Sequence, residues 1–366
     1  MDILKAGRRF ESPFSGNRYE VVQKLGEGGF GAAYKANVIT RSGNRHGQVC
    51  LKVTEDQDSW HRESYFGELL REEPRVVQLY ESFPSEGRIG GSKTMLYYLV
   101  SELASHGTIK EFLQFTGSKP WSPSRAKREV IALLKVLNSL HGGGVTHRDL
   151  TPMNIFVTDA AKLKLGDFGI AGQTLFGKSP QVSAFNPYFV TAGFDGTPPD
   201  DVFQMGQLLI ALLTGSAESQ LKVPEASRRL SCDENLKTVA LRAIGPKRAR
   251  YVDAYEMKEA MTGEPSTTSS LRTLKGKTVV FTGPLSTKRE DAVILVLQAG
   301  GKVGRNVNMA TDVLVVGGRG SYRGGGHKGV KLRTAIKINR EYLNKIALIG
   351  ESDFRRLARI RAASLR

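Results

Sequence analysis

Two polar segments, His147-Arg148-Asp149-Leu150-Thr151-Pro152-Met153-Asn154 and Asp167-Phe168-Gly169, flank a strand-like stretch. No other feature constrains the chain as strongly, because a carboxylate, an amide and a second carboxylate recur within one short span. That donor set suits phosphoryl transfer from ATP. One carboxylate orients a hydroxyl nucleophile, while the amide and the other carboxylate hold magnesium ions that neutralise phosphate charge. Asp149, Asn154 and Asp167 fit these roles in turn. Upstream, the alternating stretch Arg18 to Leu25 runs into Gly26-Glu27-Gly28-Gly29-Phe30-Gly31. Glycine is needed where backbone N–H groups approach oxygen atoms closely. A dinucleotide site would need a helix opening at these glycines and an acidic residue about 20 positions on. Here a second strand-like stretch, Ala32 to Ala36, follows, and a lysine arrives in Val49-Cys50-Leu51-Lys52-Val53.

Taken in order, these motifs resemble those of the eukaryotic-like (Hanks-type) serine/threonine protein kinases. The resemblance implies an α+β two-lobed kinase fold over residues 18–262, with the small lobe ending at about residue 104 and an N-terminal extension at 1–17. It also implies ATP and Mg2+ as cofactors and a protein substrate. In this frame Gly26, Gly28 and Gly31 cover the phosphates, and Lys52 grips the α- and β-phosphates. The carboxylate partner of Lys52 comes from a helix within Trp60 to Arg71, with Glu63 the best fit and Glu68 the rival. Glu102 and Ala104 fall in the hinge that hydrogen-bonds adenine, behind a small gatekeeper, Ser101. Trp121 to Leu140 reads as the helix before the catalytic loop, and Asp201 to Gly206 as the buried helix start that anchors it.

Three departures from the kinase pattern stand out. Thr151 replaces a lysine that usually touches the γ-phosphate. Ala33 replaces a valine that caps adenine. Asn186-Pro187-Tyr188 replaces Ala-Pro-Glu, which deprives Arg250 of its usual partner; an unpaired buried charge is costly unless another acceptor is found. None removes a metal ligand or the base.

Other patterns are set aside. Gly172 to Ser179 spells a Walker A motif, but Pro180 and a polar, helix-poor stretch follow where a phosphate loop needs a helix. It reads as activation segment, with Thr174, Ser179 and Ser183 as phosphorylation sites. His141-Gly142-Gly143-Gly144 reads as a tight turn, since the chain has no GxSxG partner motif. Two cysteines argue for a reducing compartment. The lack of a secretory h-region or an 18-residue apolar run argues for a cytoplasmic protein without membrane partners.

At 366 residues the chain has room for such a kinase and one further small domain. Residues 263–270 form a polar linker. Beyond it, residues 271–366 carry 20 Lys and Arg against 6 Asp and Glu, or +14 of the total +17. Such asymmetry points to a polyanion-binding module. Alternating strand and helix patterns over 271–359 imply a small α/β domain with a parallel sheet, followed by a basic tail at 360–366. This part resembles a BRCT domain, particularly that of bacterial NAD-dependent DNA ligases, although Phe354 stands where a tryptophan is common. The resemblance implies a phosphate site at Thr282, Gly283 and Lys331. Arg319, Arg323 and Lys328 lie in a glycine-rich basic loop, Gly317 to Gly329, suited to tracking a nucleic-acid backbone. The expected function is a kinase whose BRCT domain binds DNA, with self-association for phosphorylation in trans. The alternatives are a BRCT phosphoprotein adaptor on the same kinase and an inactive kinase fold acting as a DNA-bound scaffold.

Overall fold

In the computed structural model the described residues are 3–29, 31–142, 145–173, 193–262, 271, 273–283, 285, 288–316, 328–342, 345–350, 354–355 and 357–358. The expectations for Thr174, Ser179, Ser183, the Asn186-Pro187-Tyr188 motif, the linker, Arg319, Arg323 and the basic tail lie outside them. In chain order the strands and helices are β1 (Arg9–Glu11), β2 (Arg18–Gly28), β3 (Gly31–Ile39), β4 (Arg45–Thr54), α1 (Gln57–Leu69), β5 (Leu79–Ile89), β6 (Ser92–Glu102) and α2 (Ile109–Phe115). There follow α3 (Pro123–Gly142), β7 (Val145–Thr146), β8 (Ile155–Val157), β9 (Leu163–Leu165), β10 (Gly172–Gln173), α4 (Pro198–Thr214), α5 (Val223–Arg229), α6 (Glu234–Ala243) and α7 (Ala254–Thr262). The last are β11 (Thr278–Thr282), α8 (Arg289–Gln298), β12 (Lys302–Gly304), β13 (Val313–Val316), α9 (Lys328–Glu341) and β14 (Ala347–Gly350). Among the described residues no helix is long and apolar enough to cross a membrane.

One compact unit comprises Met1–Lys119, Asp149–Ile170 and Gly215–Glu218. Its antiparallel sheet runs β1-β2-β3-β4-β6-β5. Period-two alternation divides the sheet into two faces. On one, Tyr34, Ala36, Val38, Val49, Leu51, Val53, Phe83, Tyr98 and Val100 form an apolar core. The register Gly26↔Ala33, Ala33↔Lys52 and Lys52↔Leu99 puts a glycine of the phosphate-loop motif, Ala33 and Lys52 in one row on the other face. The residues read as an N-terminal extension belong physically to this unit. Arg9–Glu11 pairs with β2, Leu4 is buried in the apolar core, and the Leu4 N–H donates to the Tyr34 hydroxyl at 3.1 Å. Glu81 accepts hydrogen bonds from the Ser12 hydroxyl (2.8 Å), the Ser15 hydroxyl (3.1 Å) and the Tyr19 phenol. Burial and Glu81 together push that phenol well above its ordinary pKa. Gly31 is demanded by the fold, since its φ is +118° and a Cβ there would come within 2.2 Å of the Val53 carbonyl oxygen.

Helix α1 starts where Asp56 accepts the N–H groups of Asp58 and Ser59, each at 3.0 Å, a cap worth about 1 kcal/mol. It rests on the sheet through Ser64, whose hydroxyl lies 2.6 Å from that of Ser82, and through the Trp60 indole, which donates to the Tyr98 carbonyl at 3.0 Å.

The second unit comprises Pro120–Arg148, Ala171–Thr214 and Ser219–Arg366. In its helical part α3 packs against α4 and α7, and α4 against α6. Helix α3 runs through His141 and Gly142, so these two residues, expected in a tight turn, are helical. Arg250 does have an acceptor. Its Nη1 lies 3.6 Å from Asp200, its Nε donates to the Gly245 carbonyl at 2.8 Å, and its guanidinium sits 4.6 Å above the Phe203 ring. Lys247 meets the other Asp200 oxygen at 2.9 Å.

Also in this unit, β12-β11-β13-β14 form a four-stranded parallel sheet. Leu274, Val279, Phe281, Val296, Val313 and Val315 lie in its core. Phe354 meets Phe281 edge-on at 5.2 Å.

Since Asp200 is 1% exposed and faces two cations, Asp200→Ala is expected to cost about 3–5 kcal/mol, the usual loss when one member of a buried ion pair is removed. Urea unfolding of the variant beside wild type measures it.

Candidate active site

The β8–β9 hairpin brings the metal-binding candidates together. Ile155 pairs with Leu165, and the Gly166 N–H donates to the Asn154 carbonyl at 3.0 Å, so Asn154 and Asp167 flank the same end of the hairpin. The backbone of 75–77 clasps this hairpin, with the Leu165 N–H donating to the Arg75 carbonyl and the Val77 N–H to the Leu165 carbonyl, both at 2.8 Å. Asn154 donates its side-chain amide to the Asp149 carboxylate at 2.7 Å and to the Asp149 carbonyl at 3.0 Å. Its own carbonyl oxygen is thereby left for an acceptor role.

Lys52 joins this group from the sheet. Its ammonium donates to Glu63 at 2.7 Å and to Asp167 at 2.9 Å. Glu68, the rival partner, instead lies 3.7 Å from Arg71 on the surface. Burial would lower the Lys52 ammonium, but Asp167 and Glu63 outweigh it and hold the group above its ordinary pKa. Glu63 is pushed up to about 7 by burial, assisted by the like charge of Asp167 and opposed by Lys52. Asp149 is also pushed up to about 7, by burial and by Asp167, against the Asn154 hydrogen bond and the Lys52 charge.

The other expected site residues are placed as follows. Gly26 and Gly28 have open space where a Cβ would stand, unlike Gly31. In the hinge segment the Glu102 N–H donates to the Gln78 carbonyl at 2.8 Å, and the Glu102 carboxylate is gripped by Lys164 at 2.6 and 2.8 Å. The Ala104 carbonyl accepts the Gly107 N–H at 3.1 Å. Thr151 is buried, and its hydroxyl has no hydrogen-bond partner among the described residues.

Within the second unit, Asp201 anchors the backbone just ahead of Asp149. It accepts the N–H groups of His147 and Arg148, both at 2.8 Å, and the His141 Nε2–H at 2.9 Å. Because His141 Nδ1 accepts the Ala254 N–H at 3.1 Å, the ring proton sits on Nε2. Gln204 completes the clasp by donating to the Arg148 carbonyl at 3.0 Å. Burial would raise Asp201, but the His141 hydrogen bond, the electrostatic influence of the neighbouring His141 and His147 rings, and the His147 N–H hold it below the usual carboxylate range.

On the C-terminal sheet, Thr282 is buried at the end of β11, Gly283 follows with φ +73°, and Lys331 donates to the Phe281 carbonyl at 3.2 Å. Lys331 lies inside α9, which opens three residues earlier at Lys328. Burial and the nearby Arg289 lower the Lys331 ammonium. Arg289 itself, with its guanidinium 5.8 Å from the Phe281 ring, was not foreseen. Nor were Lys164 and Arg62. The signal for Arg62 was its place beside Glu63, one helical turn beyond Ser59.

A family model described as the protein kinase domain matches residues 19–269, which leaves 271–366 outside it. The chain is similar to the serine/threonine-protein kinase PEPKR2 of Arabidopsis thaliana, 29% identical over 226 residues, 59% of this chain and 45% of that protein. It is likewise similar to the probable serine/threonine-protein kinase CPE1738 of Clostridium perfringens, 29% identical over 206 residues, 55% of this chain and 29% of the other. With the probable serine/threonine-protein kinase zyg-1 of Caenorhabditis briggsae it shares 30% identity over 212 residues, 54% of this chain and 27% of the other. The chain thus spans less than half the length of the curated relatives it matches.

Asp201 contributes stability at neutral pH that is lost as pH falls through its depressed native pKa. Asp201→Asn is therefore expected to unfold at lower urea concentration at pH 7. The deficit should shrink once pH drops below about 4, where the unfolded carboxylate also protonates. Urea titrations at pH 7, 4 and 3 follow the difference.

Proposed function

Because the chain belongs to the protein kinase family, we propose that it transfers the γ-phosphoryl group of ATP to serine or threonine hydroxyls of protein substrates. The observation that carries this reading is Lys52 held between Glu63 and Asp167, beside a hairpin end that presents Asn154 and Asp149. Lys52 positions the α- and β-phosphates, the N–H groups of Gly26 to Gly31 cover them, and the backbone of Glu102 and Ala104 receives adenine. Asp149 orients the substrate hydroxyl and accepts its proton. A new bond forms between that oxygen and the γ-phosphorus as the bond to the β–γ bridging oxygen breaks and ADP leaves. Asn154 and Asp167 supply hard oxygen donors of the kind magnesium takes, and these two residues would hold it. When bound it neutralises phosphate charge. Asp149→Asn and Lys52→Met are each expected to reduce phosphate transfer by roughly 10²- to 10⁴-fold. Folded wild-type protein that transfers no phosphate with magnesium and ATP overturns this reading in favour of a scaffold.

We also propose that residues 271–359 form a BRCT-like domain that binds DNA at ends, nicks or other exposed phosphates and couples it to phosphorylation. Its charge of +14 over 271–366 supports this, as does the gathering of Thr282, Gly283, Lys331 and Arg289 around the end of one parallel strand. A hydroxyl, an amide and two cations match a phosphate group. If about four duplex phosphates are neutralised, log affinity should fall against log salt with a slope near roughly −3.6. Titrating the full chain into labelled duplex over a range of salt measures this. A salt-insensitive result, or preference for a phosphopeptide in direct competition, favours the adaptor reading instead.

A further inference from the structure

One face of α1 is turned to the Asp167-Phe168-Gly169 turn. Ser59, Arg62, Glu63 and Phe66 fall at the i, i+3, i+4 and i+7 spacing of a helical stripe, and each meets that turn or its partner lysine. Glu63 shares Lys52 with Asp167. The Phe66 ring lies 5.8 Å from that of Phe168. A Cβ on Gly169 would come within 2.7 Å of the Ser59 hydroxyl, so helix and turn are in close contact there. Arg62 makes the remaining link, its Nε donating to the Gly169 carbonyl at 2.6 Å.

We propose that Arg62 is a positioning residue that pins the Asp167-Phe168-Gly169 turn to α1 and so keeps Asp167 at the Lys52 ammonium. Asp167 has φ +55°, a left-handed conformation that a non-glycine residue holds only when its surroundings over-determine it. The Asp167 carboxylate is held from within by the Gly169 N–H at 3.3 Å and from the sheet by Lys52. Those contacts fix its side chain and the Gly169 N–H. The Gly169 carbonyl, on the far side of the same residue, is fixed by Arg62. Removing that donor frees the turn to rotate and draws Asp167 away from Lys52. Because the same helix carries Glu63, the guanidinium ties the helix and the turn into one body, which the Lys52 ion pairs then join to the sheet.

The proposal rests on the kinase reading for its rate effect but not for its structural one, so the test has both readouts. Arg62→Met keeps the apolar stem and removes the donor, while Arg62→Lys restores a cation. Phosphate transfer with saturating ATP should fall roughly 10- to 100-fold in Arg62→Met, as expected of a misplaced reacting group, and recover in part in Arg62→Lys. Amide hydrogen exchange of peptides spanning 166–171 should become faster, with the thermal midpoint within a few degrees of wild type. Trp60 emission, isolated in a Trp121→Phe background, should shift as α1 loosens. A wild-type rate in Arg62→Met, or unchanged exchange over 166–171 in that folded variant, overturns the proposal. Should the methionine variant fail to fold, Arg62→Lys decides: wild-type exchange and rate there count against a role for the guanidinium geometry. If wild type itself transfers no phosphate, the kinase reading fails alone, and the exchange experiment still decides on Arg62.

Discussion

A lysine ammonium withdrawn from water loses several kcal/mol of hydration unless carboxylates replace it. Lys52 is drawn from the middle of a sheet strand into such a place, and both of its carboxylates come from elsewhere in the chain. Glu63 arrives on α1 and Asp167 on the turn after β9. The ion cluster is therefore a meeting point of three separately built pieces. Each needs its own support: the cap at Asp56 for the helix, the clasp of residues 75–77 for the hairpin, and cross-strand pairing with Ala33 and Leu99 for the strand. Without the Lys52 ammonium the two carboxylates would face each other unneutralised, so the lysine is the member the cluster can least do without.

Two non-glycine residues near the site, Arg148 and Asp167, hold left-handed backbone conformations with φ +72° and +55°. Conformations of this kind cost of order 1–3 kcal/mol and mark places where function outweighs local preference. At Arg148 the restraint is a buried carboxylate, Asp201, on its N–H and a glutamine, Gln204, on its carbonyl. At Asp167 it is Lys52 and the Gly169 N–H. The two turns are thus restrained by different chemistry, one by hydrogen bonds to a fixed helix start and the other by an ion pair.

Local motifs were the legible part of the site. Asp149, Asn154, Asp167 and Lys52 stand in short segments whose residue types state their chemistry, and the alternation around Lys52 names its strand. The choice between Glu63 and Glu68 was harder from sequence, because both lie on one helix. Five residues at 100° each place them about 140° apart, and only the face marked by Ser59 and Phe66 meets the turn. Contacts between distant positions were illegible. Asp200 and Arg250 are separated by much of the helical part, and no spacing rule links them. The same holds for Arg289 and Lys331, which the C-terminal sheet brings to the same strand. Total charge announced a basic domain, but not where on its surface two cations would converge.

The apolar face of the first sheet is closed by the residues that precede the kinase motifs. With Leu4 inside the core and Ser12 and Ser15 bonded to Glu81, these residues are a wall of the lobe. The physical boundary of the catalytic fold therefore lies upstream of the boundary drawn by motifs. A fragment begun at residue 19 would take Leu4 and Phe10 away from Tyr34 and Tyr98 on the reverse of the strands that carry Ala33 and Lys52. Changes in the first fifteen or so residues thus have a direct mechanical route, one strand thick, to the nucleotide side of the sheet.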